Sequence, residues 1–397
     1  MDVIADFIDY TKEYESPENF WRWAGYAMVA AVLRDSVYYD HGLRKTYPNI
    51  YVVLLADSAE YRKSGPFAPV IDLLQHEKVF NTKVIQGRAS VQAILDELSM
   101  DVGSPLKNGT SLKGGSAILL AEELASFFVS DPQLVPMITD LYDYKNKWDY
   151  KLKGSGTTTI KNRCVTFLAA SNETFLRDVY DTKAVFGGLL GRTFMVKPDE
   201  RRKPNDLLNM DLANYNPMPI VESLVKIKTL KGAMRTSPSA TTLYRDWYRR
   251  LYESYAVVQD KAGVTQRLHA GALKLSMIIA ASQGCMEISE AQMEDAIMRV
   301  TSLRGNYEIF AMKSGKSEQA EVGALLLGAL WKAPKHELTR KAFMFNNWQN
   351  CTAEGLDAVV MTLEAAEMVK TVASSSQVAY KMTPKCIAVF TEREKQI

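Results

Sequence analysis

Cysteine and histidine are both scarce in this chain, and their placement excludes several kinds of chemistry. Cys164, Cys285, Cys351 and Cys386 stand apart, with no CxxC pair and no companion histidines. That spacing rules out a zinc ribbon and points to reduced thiols in a cytoplasmic setting. Of the four histidines, His41, His76, His269 and His336, none suggests a Ser-His-Asp or Cys-His constellation, and His269 reads as a core or boundary residue. Long apolar runs are missing as well. Ala24–Leu33 is far too short to span a bilayer, so no membrane partner is expected. The opening MDVIADFIDYTKEYES is acidic and lacks the pattern of a signal peptide. An excess of charge of one sign is also absent: 48 lysines and arginines face 46 acids, so any nucleic-acid surface must be a local patch.

What is present is an ordinary globular composition, 47% hydrophobic over 397 residues, enough for two or three domains. Residues 1–46 read as an N-terminal helical segment, with Ser16 capping a helix that has Pro17 in its first turn. From Tyr47 to about residue 200 strands alternate with helices. Asn49–Leu55 is a continuous apolar run of the buried parallel type. Further strands are expected at Thr82–Gln86, Ser116–Leu120, Cys164–Ala169 and Thr193–Val196. Helices are expected at Ser64–His76, at Val91–Leu98 behind a Ser90 cap, and at Glu122–Phe128. This order predicts an α/β fold with an open parallel sheet covered on both faces. Residues 201–316 read as a helical lid or linker domain, with Thr241–Val258 and Arg267–Ala281 clearest. Residues 317–397 read as helices followed by strands near Met368–Val372 and Val378–Met382, the order of a winged helix, with Lys335, Arg340 and Lys341 as its DNA-facing charges.

Five segments could carry chemistry. After the Asn49–Leu55 strand comes Asp57-Ser58-Ala-Glu-Tyr-Arg62-Lys63-Ser64. A phosphate-binding loop needs a tight turn of backbone N–H groups, a lysine for the phosphate oxygens and a hydroxyl for Mg²⁺ at a helix start. Lys63 and Ser64 are in register for those roles, and Ser58 and Arg62 belong to the same loop. Both glycines of GxxxxGK[ST] are replaced, by Asp57 and Arg62, so an ordinary strand-to-helix turn is the competing reading. Glu122-Glu123, ending an apolar strand, has the arrangement of an acid that holds Mg²⁺ followed by one that polarises water, or of a solvated helix start. Ser171-Asn172 at the next strand end could sense the γ-phosphate, cap the following helix, or both. Arg192, after Gly187-Gly-Leu-Leu-Gly191 and beside the sheet's ATP edge, could be a finger completing a neighbour's site, or could pair with Asp178 or Asp181. Between Asp143 and Arg163 six cations, including Lys145, Lys147, Lys151 and Lys153, face two acids, a net of +4. Tyr144, Trp148 and Tyr150 are interleaved, and Gly154-Ser-Gly156 marks a hairpin tip. Cations with aromatic faces suit single strands, and a solvated surface hairpin is the alternative. Arg267 could serve as a second sensor over the nucleotide.

These segments together resemble a known family. FWRWAGYAMVAAVL, YPNIYVVLLADSAEYRKS, ILLAEELASFF, TDLYDYKNKWDY, VTFLAASNETFL and GGLLGRTFMV are similar, in order and spacing, to the motifs of phage- and mobile-element replicative-helicase proteins of the virulence-associated-E/primase-helicase-like kind. The resemblance covers residues 16–200 and, more loosely, 260–300. It implies a P-loop NTPase core of the RecA/AAA+ type, ATP and Mg²⁺ as cofactors, a homo-oligomer (a hexameric ring) on single-stranded DNA, and a separate primase or initiator, in the host cytoplasm if the chain is phage-encoded. Carried over, Lys63 and Ser64 take phosphate and Mg²⁺, Glu122 and Glu123 form the acidic pair, Asn172 is the sensor and Arg192 the finger. Asp57 departs from the pattern, where a small residue is normal. Two other readings stand beside the helicase: an ATPase-impaired DNA-binding or replication-assembly protein, and a packaging or recombination ATPase.

Overall fold

A computed structural model describes the chain apart from residues 58–60, 88–89, 101, 104–110, 113, 130, 132, 153–155, 174, 177–185, 203, 205–215, 255–263, 308–317, 350, 374–376 and 395–397. The chain divides into two compact units, Met1–Ala311 and Met312–Ile397. The expected divisions near residues 46 and 200 fall inside the first unit.

The first unit opens with α1 (Val3–Tyr10), whose Asp2 carboxylate accepts from the N–H groups of Ile4 and Ala5 at 3.1 and 3.2 Å. Then comes α2 (Glu18–Leu33), buried over thirteen of its sixteen residues. A helix apolar around most of its circumference has to lie inside a core, and α2 shares one continuous core with the sheet strands. Ser16 does not cap α2. Pro17 occupies the cap position with no side-chain bond, and the Ser16 hydroxyl is used elsewhere.

The main sheet contains β1 (Tyr51–Leu55), β2 (Lys83–Gln86), β3 (Ser116–Ala121), β4 (Gly156–Ser171) and β5 (Thr193–Val196). Every neighbouring pair is parallel and the spatial order is β5-β1-β4-β3-β2. β1, β3 and β5 are buried at every position, as strands covered on both faces must be. The helices between strands include α3 (Phe67–Gln75), α4 (Val91–Ser99), α5 (Leu124–Val129) and α6 (Leu134–Leu141), with a short helical turn at Phe186–Leu190 before β5. Ser90 caps α4 as expected, accepting from Ala93 N–H at 3.2 Å. α3 starts three residues later than the sequence implied, because Gly65 and Pro66 occupy its entry and Pro66 is the cap. The carboxyl half of β4 lies in the sheet, while its amino half turns antiparallel against the strand Lys145–Leu152 to make the predicted hairpin. Its tip falls outside the described residues.

Two expectations for the flanks need correction. Residues 37–46 are not helical, and the helical domain expected over 201–316 contains strands as well. Val37–Asp40 and Lys45–Thr46 join Gly232–Thr236 and Glu287–Ile288 in a small sheet, parallel except for the Lys45–Thr46 edge. These strands are short and their burial does not alternate cleanly, so they carry no period-two signal. Among the described residues this unit also contains the helices α7 (Met218–Lys228), α8 (Pro238–Ser254), α9 (Val264–Ser282) and α10 (Glu290–Ser302), the last opened by a Ser289–Gln292 capping box.

The second unit runs α11 (Glu318–Lys332), strand Glu337–Thr339, α12 (Arg340–Asn347), α13 (Ala353–Ala365), strand Val369–Ala373, strand Val378–Met382 and a closing helix Pro384–Glu394. Its three strands form one antiparallel sheet around a separate core that includes Leu326, Leu330, Phe343, Leu356 and Tyr380. Among the described residues no helix is long and apolar enough to cross a membrane.

Candidate nucleotide and nucleic-acid sites

All five main strands run the same way, so their carboxyl ends share one edge. On it β1, β4 and β3 are consecutive. Leu55 aligns with Ser171, and Ala169 aligns with both Val53 and Ala121. Ala56, just beyond β1, donates its N–H to Ser171 O at 3.2 Å. Three segments picked out separately in the sequence therefore meet along one edge: the loop after β1, Ser171-Asn172 after β4 and Glu122-Glu123 after β3. With strands about 4.8 Å apart, β1 and β3 ends are separated by roughly 10 Å, room for a phosphate group and its cation. This is also where the strand order reverses: the chain leaves β1 for the far edge and later returns to β5 on the other side. Such a switch point opens a crevice at the carboxyl ends.

The loop after β1 is described from Tyr61 onward; Ser58 lies outside the described residues. Arg62 adopts φ +44°, a left-handed conformation, at the place of the second glycine of the phosphate-loop pattern. Its guanidinium pairs with Glu15, and its carbonyl accepts from the Ser16 hydroxyl at 2.9 Å. Gly65 lies against the same hydroxyl, since an added Cβ would come within 2.4 Å of Ser16 Oγ. The segment between α1 and α2 thus braces the loop, a role for Ser16 that its cap-like sequence context concealed. Lys63 folds back to donate to Ala56 O at 3.2 Å. Its ammonium stays on the loop, as a lysine presented to a phosphate there would be. Ser64 O accepts from Phe67 N–H at 3.1 Å, so Ser64 lies in the turn before α3 and not in its first helical residue.

Glu122 and Glu123 are exposed. They line an open cleft of about 320 Å³ together with Gln86, Gly87, Ser126 and Phe127, between the ends of β2 and β3. Gln86, Gly87 and Ser126 were not foreseen. Gly87 takes φ +82°, which lets the chain turn away from β2 without a side chain filling the cleft. Asn172 is half-buried, and its Oδ1 accepts from Phe175 N–H at 2.7 Å, the helix-capping role. Among the described residues no three His, Cys, Asp or Glu side chains come together to hold a metal ion. A Mg²⁺ at this edge would complete its shell from water and phosphate oxygens, the usual arrangement for that ion.

The opposite edge of the sheet is polar and closed. Lys274 of α9 is buried and donates to Asn49 O and Oδ1 at 2.9 and 3.0 Å, with its ammonium 3.9 Å from the centre of the Tyr142 ring. Asn49 Nδ2 in turn donates to Tyr142 O and Val165 O at 2.7 and 3.0 Å. Burial lowers the Lys274 pKa to about 8, with Cys164 and Asp143 opposing that shift. Burial likewise pushes the Tyr142 phenol up. Arg163, fully buried, donates to Asp140 O and Asp143 O at 2.5 and 2.6 Å and lies over the Trp148 ring.

Arg192 belongs to this edge. It precedes a parallel strand, so it lies at the amino end of β5, away from the chain's own Lys63 and Glu122; the expected position beside the ATP edge is corrected. It donates to Gly188 O at 2.8 Å and pairs with Asp143 at 3.6 Å, while Asp178 and Asp181 lie outside the described residues. Arg267 shares a small cleft with Arg192, Tyr142, Gly271 and Tyr307. That puts it at the same end as Arg192, away from the end that carries Lys63 and Glu122.

In the hairpin Lys145, Lys147 and Lys151 are exposed, Lys147 pairing with Asp149 at 3.0 Å; Lys153 lies outside the described residues. The aromatic part of the prediction fails. Trp148 is buried beneath Arg163, Tyr150 packs on Trp148 with ring centres 5.0 Å apart, and Tyr144 stacks on Tyr47 at 3.9 Å. The hairpin offers cations without free rings. In the second unit Arg340 is held by Asp357 at 2.8 Å, and the exposed residues of α13 include Glu354, Asp357 and Glu364. Arg340 is thus engaged with Asp357 and α13 presents an acidic face, whereas Lys335 and Lys341 are exposed.

Compared with protein-family models and with curated proteins, the chain matches none.

Proposed function

We propose that this chain is an ATP-driven motor on single-stranded DNA, of the replicative-helicase kind, with ATP bound at the carboxyl edge of the main sheet. One observation carries the reading: strand order β5-β1-β4-β3-β2 brings the lysine-bearing loop, the Ser171-Asn172 end and the Glu122-Glu123 end side by side. These are the parts a P-loop ATPase of the RecA/AAA+ type needs on adjacent strands. Lys63 would neutralise the β- and γ-phosphates, Ser64 and Glu122 would hold Mg²⁺, Glu123 would orient the attacking water, and Asn172 would contact the γ-phosphate. Mg²⁺, when bound, supplies charge neutralisation on the transferring phosphoryl group. Because Arg192 sits at the far end of the sheet, it can act as a finger only on a neighbouring subunit, which ties activity to a ring such as a hexamer. The exposed lysines of the hairpin would follow the strand's phosphates. The element order of the second unit supports a winged helix, and its acidic α13 favours a protein partner, such as a separate primase or initiator, over duplex DNA.

Steady-state ATP hydrolysis with and without single-stranded DNA, on wild type and Glu123→Gln, tests this. We expect DNA-stimulated turnover, lost by about a hundredfold or more in the variant, since water positioning and charge stabilisation are transition-state effects. A specific observation favours a second reading, that of an ATPase-impaired DNA-binding or assembly protein. Arg62 and Asp57 replace both loop glycines, and an aspartate beside phosphate repels it. Wild type that binds DNA without turning ATP over would establish that reading instead.

A further inference from the structure

The α8 helix carries a row of tyrosines that the motor reading leaves unused. Tyr244, Tyr248 and Tyr252 recur every four residues and so follow one slowly winding stripe. The Tyr244 and Tyr248 rings are nearly parallel, 7° apart with centres 6.4 Å from each other, and the Tyr252 ring follows at 6.3 Å, tilted 39° from Tyr248. The stripe climbs out of the core: Tyr244 and Tyr248 are half-buried and Tyr252 is 63% exposed. Its inner end is fixed. The Tyr244 hydroxyl donates to His269 O at 3.1 Å, and the His269 ring meets Tyr248 edge-on at 5.2 Å.

Arg245 and Arg249 each follow a ladder tyrosine and are exposed, about 100° round the helix from it. The pair between Arg249 and Asp246, at 3.9 Å with both side chains more than half exposed, is too weak to hold that guanidinium. A phosphate chain running beside the rings would meet two cations on the same flank. Ring centres repeat at about twice the ~3.4 Å rise of stacked bases, so a strand lying along α8 would offer one base face to each ring for every two steps. Three tyrosines in register with two arginines is a pattern suited to unpaired bases, which present flat faces that a duplex hides.

We infer that the Tyr244–Tyr248–Tyr252 ladder of α8, flanked by Arg245 and Arg249, is a stacking site for single-stranded nucleic acid. It supplies the aromatic contacts that the hairpin, with Trp148 buried, does not. It stands whether or not the chain turns ATP over.

Binding of a fluorescent oligothymidine to the full chain, without ATP and at several salt concentrations, tests the site. Tyr252→Ala removes an exposed ring and should weaken binding roughly tenfold with the salt slope unchanged, while Tyr252→Phe keeps wild-type affinity. Arg245→Ala with Arg249→Ala should make the slope of log affinity against log salt shallower by about 1.4, at ~0.7 for each phosphate contact. Affinity for a duplex of the same length should not respond to Tyr252→Ala. Unchanged oligothymidine affinity in Tyr252→Ala, an equal loss in Tyr252→Phe, an equal loss on duplex, or a wild type that binds no oligothymidine would each overturn the inference. Loss of binding in Lys147→Ala/Lys151→Ala beside an inert ladder would overturn it and leave the motor reading intact. A working ladder on a chain with no ATP hydrolysis would do the reverse.

Discussion

The two edges of the main sheet are made of the same five strands and are held in opposite ways. At the amino edge Asn49, Lys274, Tyr142, Arg163 and Arg192 are joined by hydrogen bonds, a cation–π contact and an ion pair, most of them buried. At the carboxyl edge Glu122 and Glu123 face an open cleft, and Lys63 reaches a carbonyl of its own loop. A buried polar group without a partner is costly, and the closed edge satisfies most of its groups internally; Arg163 bonds through one guanidinium nitrogen, while its Nε and Nη1 are buried with no hydrogen bond and the group lies over the Trp148 ring. Groups at the open edge are solvated and can exchange water for a ligand without breaking the fold. Strand polarity thus separates a part that holds the protein together from a part that remains available for chemistry.

The largest test of this contrast is Asn49→Ala. It removes two donations to buried carbonyls and one of the acceptors of the Lys274 ammonium, leaving polar groups stranded at the sheet's start. Loss of about 3 kcal/mol is expected in chemical denaturation. Glu123→Gln at the other edge should move stability by less than about 0.5 kcal/mol. Comparable losses at both edges would break the distinction.

The next effect depends on pH. In the fold the Lys274 ammonium releases its proton at about 8, below the lysine value of 10.5, because burial disfavours the charge. At pH 7 both folded and unfolded chains are protonated there, and the folded state carries the cost. Above pH 8 the folded amine sheds its proton while the unfolded one keeps it, so this group's contribution to stability rises towards pH 10.5, by at most roughly 3 kcal/mol. Cys164, pushed up to about 12 by burial, works the other way above pH 9, because the unfolded thiol ionises first. The difference between wild type and Lys274→Met across pH 7–10 isolates the lysine. We expect the wild type to gain relative to the variant as pH rises, read from denaturation midpoints at each pH.

Much of this contrast could be read from the residues alone. Continuous apolar runs such as Tyr51–Leu55 declared fully buried strands, and each was followed by the polar segment that ends up on the open edge. The end occupied by Arg192 was also readable, since a residue that precedes a parallel strand must lie at the strand's amino end; glycine-rich context drew the expectation to the wrong edge. The burial of Trp148 was readable too: Trp148 and Tyr150 alternate with Lys147, Asp149 and Lys151, so the rings take the face opposite the exposed charges, where Arg163 lies over the indole. Other features had no local signal. Gly232–Thr236 is a strand because Val37–Asp40 pairs beside it, and Glu287–Ile288 because it pairs with Gly232–Thr236 in turn. The Lys274–Asn49 bond joins residues 225 positions apart, beyond the reach of any spacing rule.

The smallest expected effect sits on the open edge and concerns the missing glycine. Arg62 holds φ +44°, a region that costs a residue with a Cβ about 1 kcal/mol relative to glycine. Glycine also gains freedom in the unfolded chain, which offsets part of that relief. The Arg62–Glu15 pair given up in exchange has its guanidinium 62% exposed, and exposed pairs contribute little. Arg62→Gly should therefore leave stability unchanged or raise it by up to about 1 kcal/mol, while restoring the second glycine of the phosphate-loop pattern. Measured beside nucleotide affinity, it separates two accounts of the loop. Tighter binding of ATP without loss of stability means that the fold already prepares the left-handed turn and that arginine only burdens it. A loss of 1 kcal/mol or more would mean that Arg62, through Glu15, braces the loop against α1 and α2, and that the open edge is less independent of the core than its exposure implies.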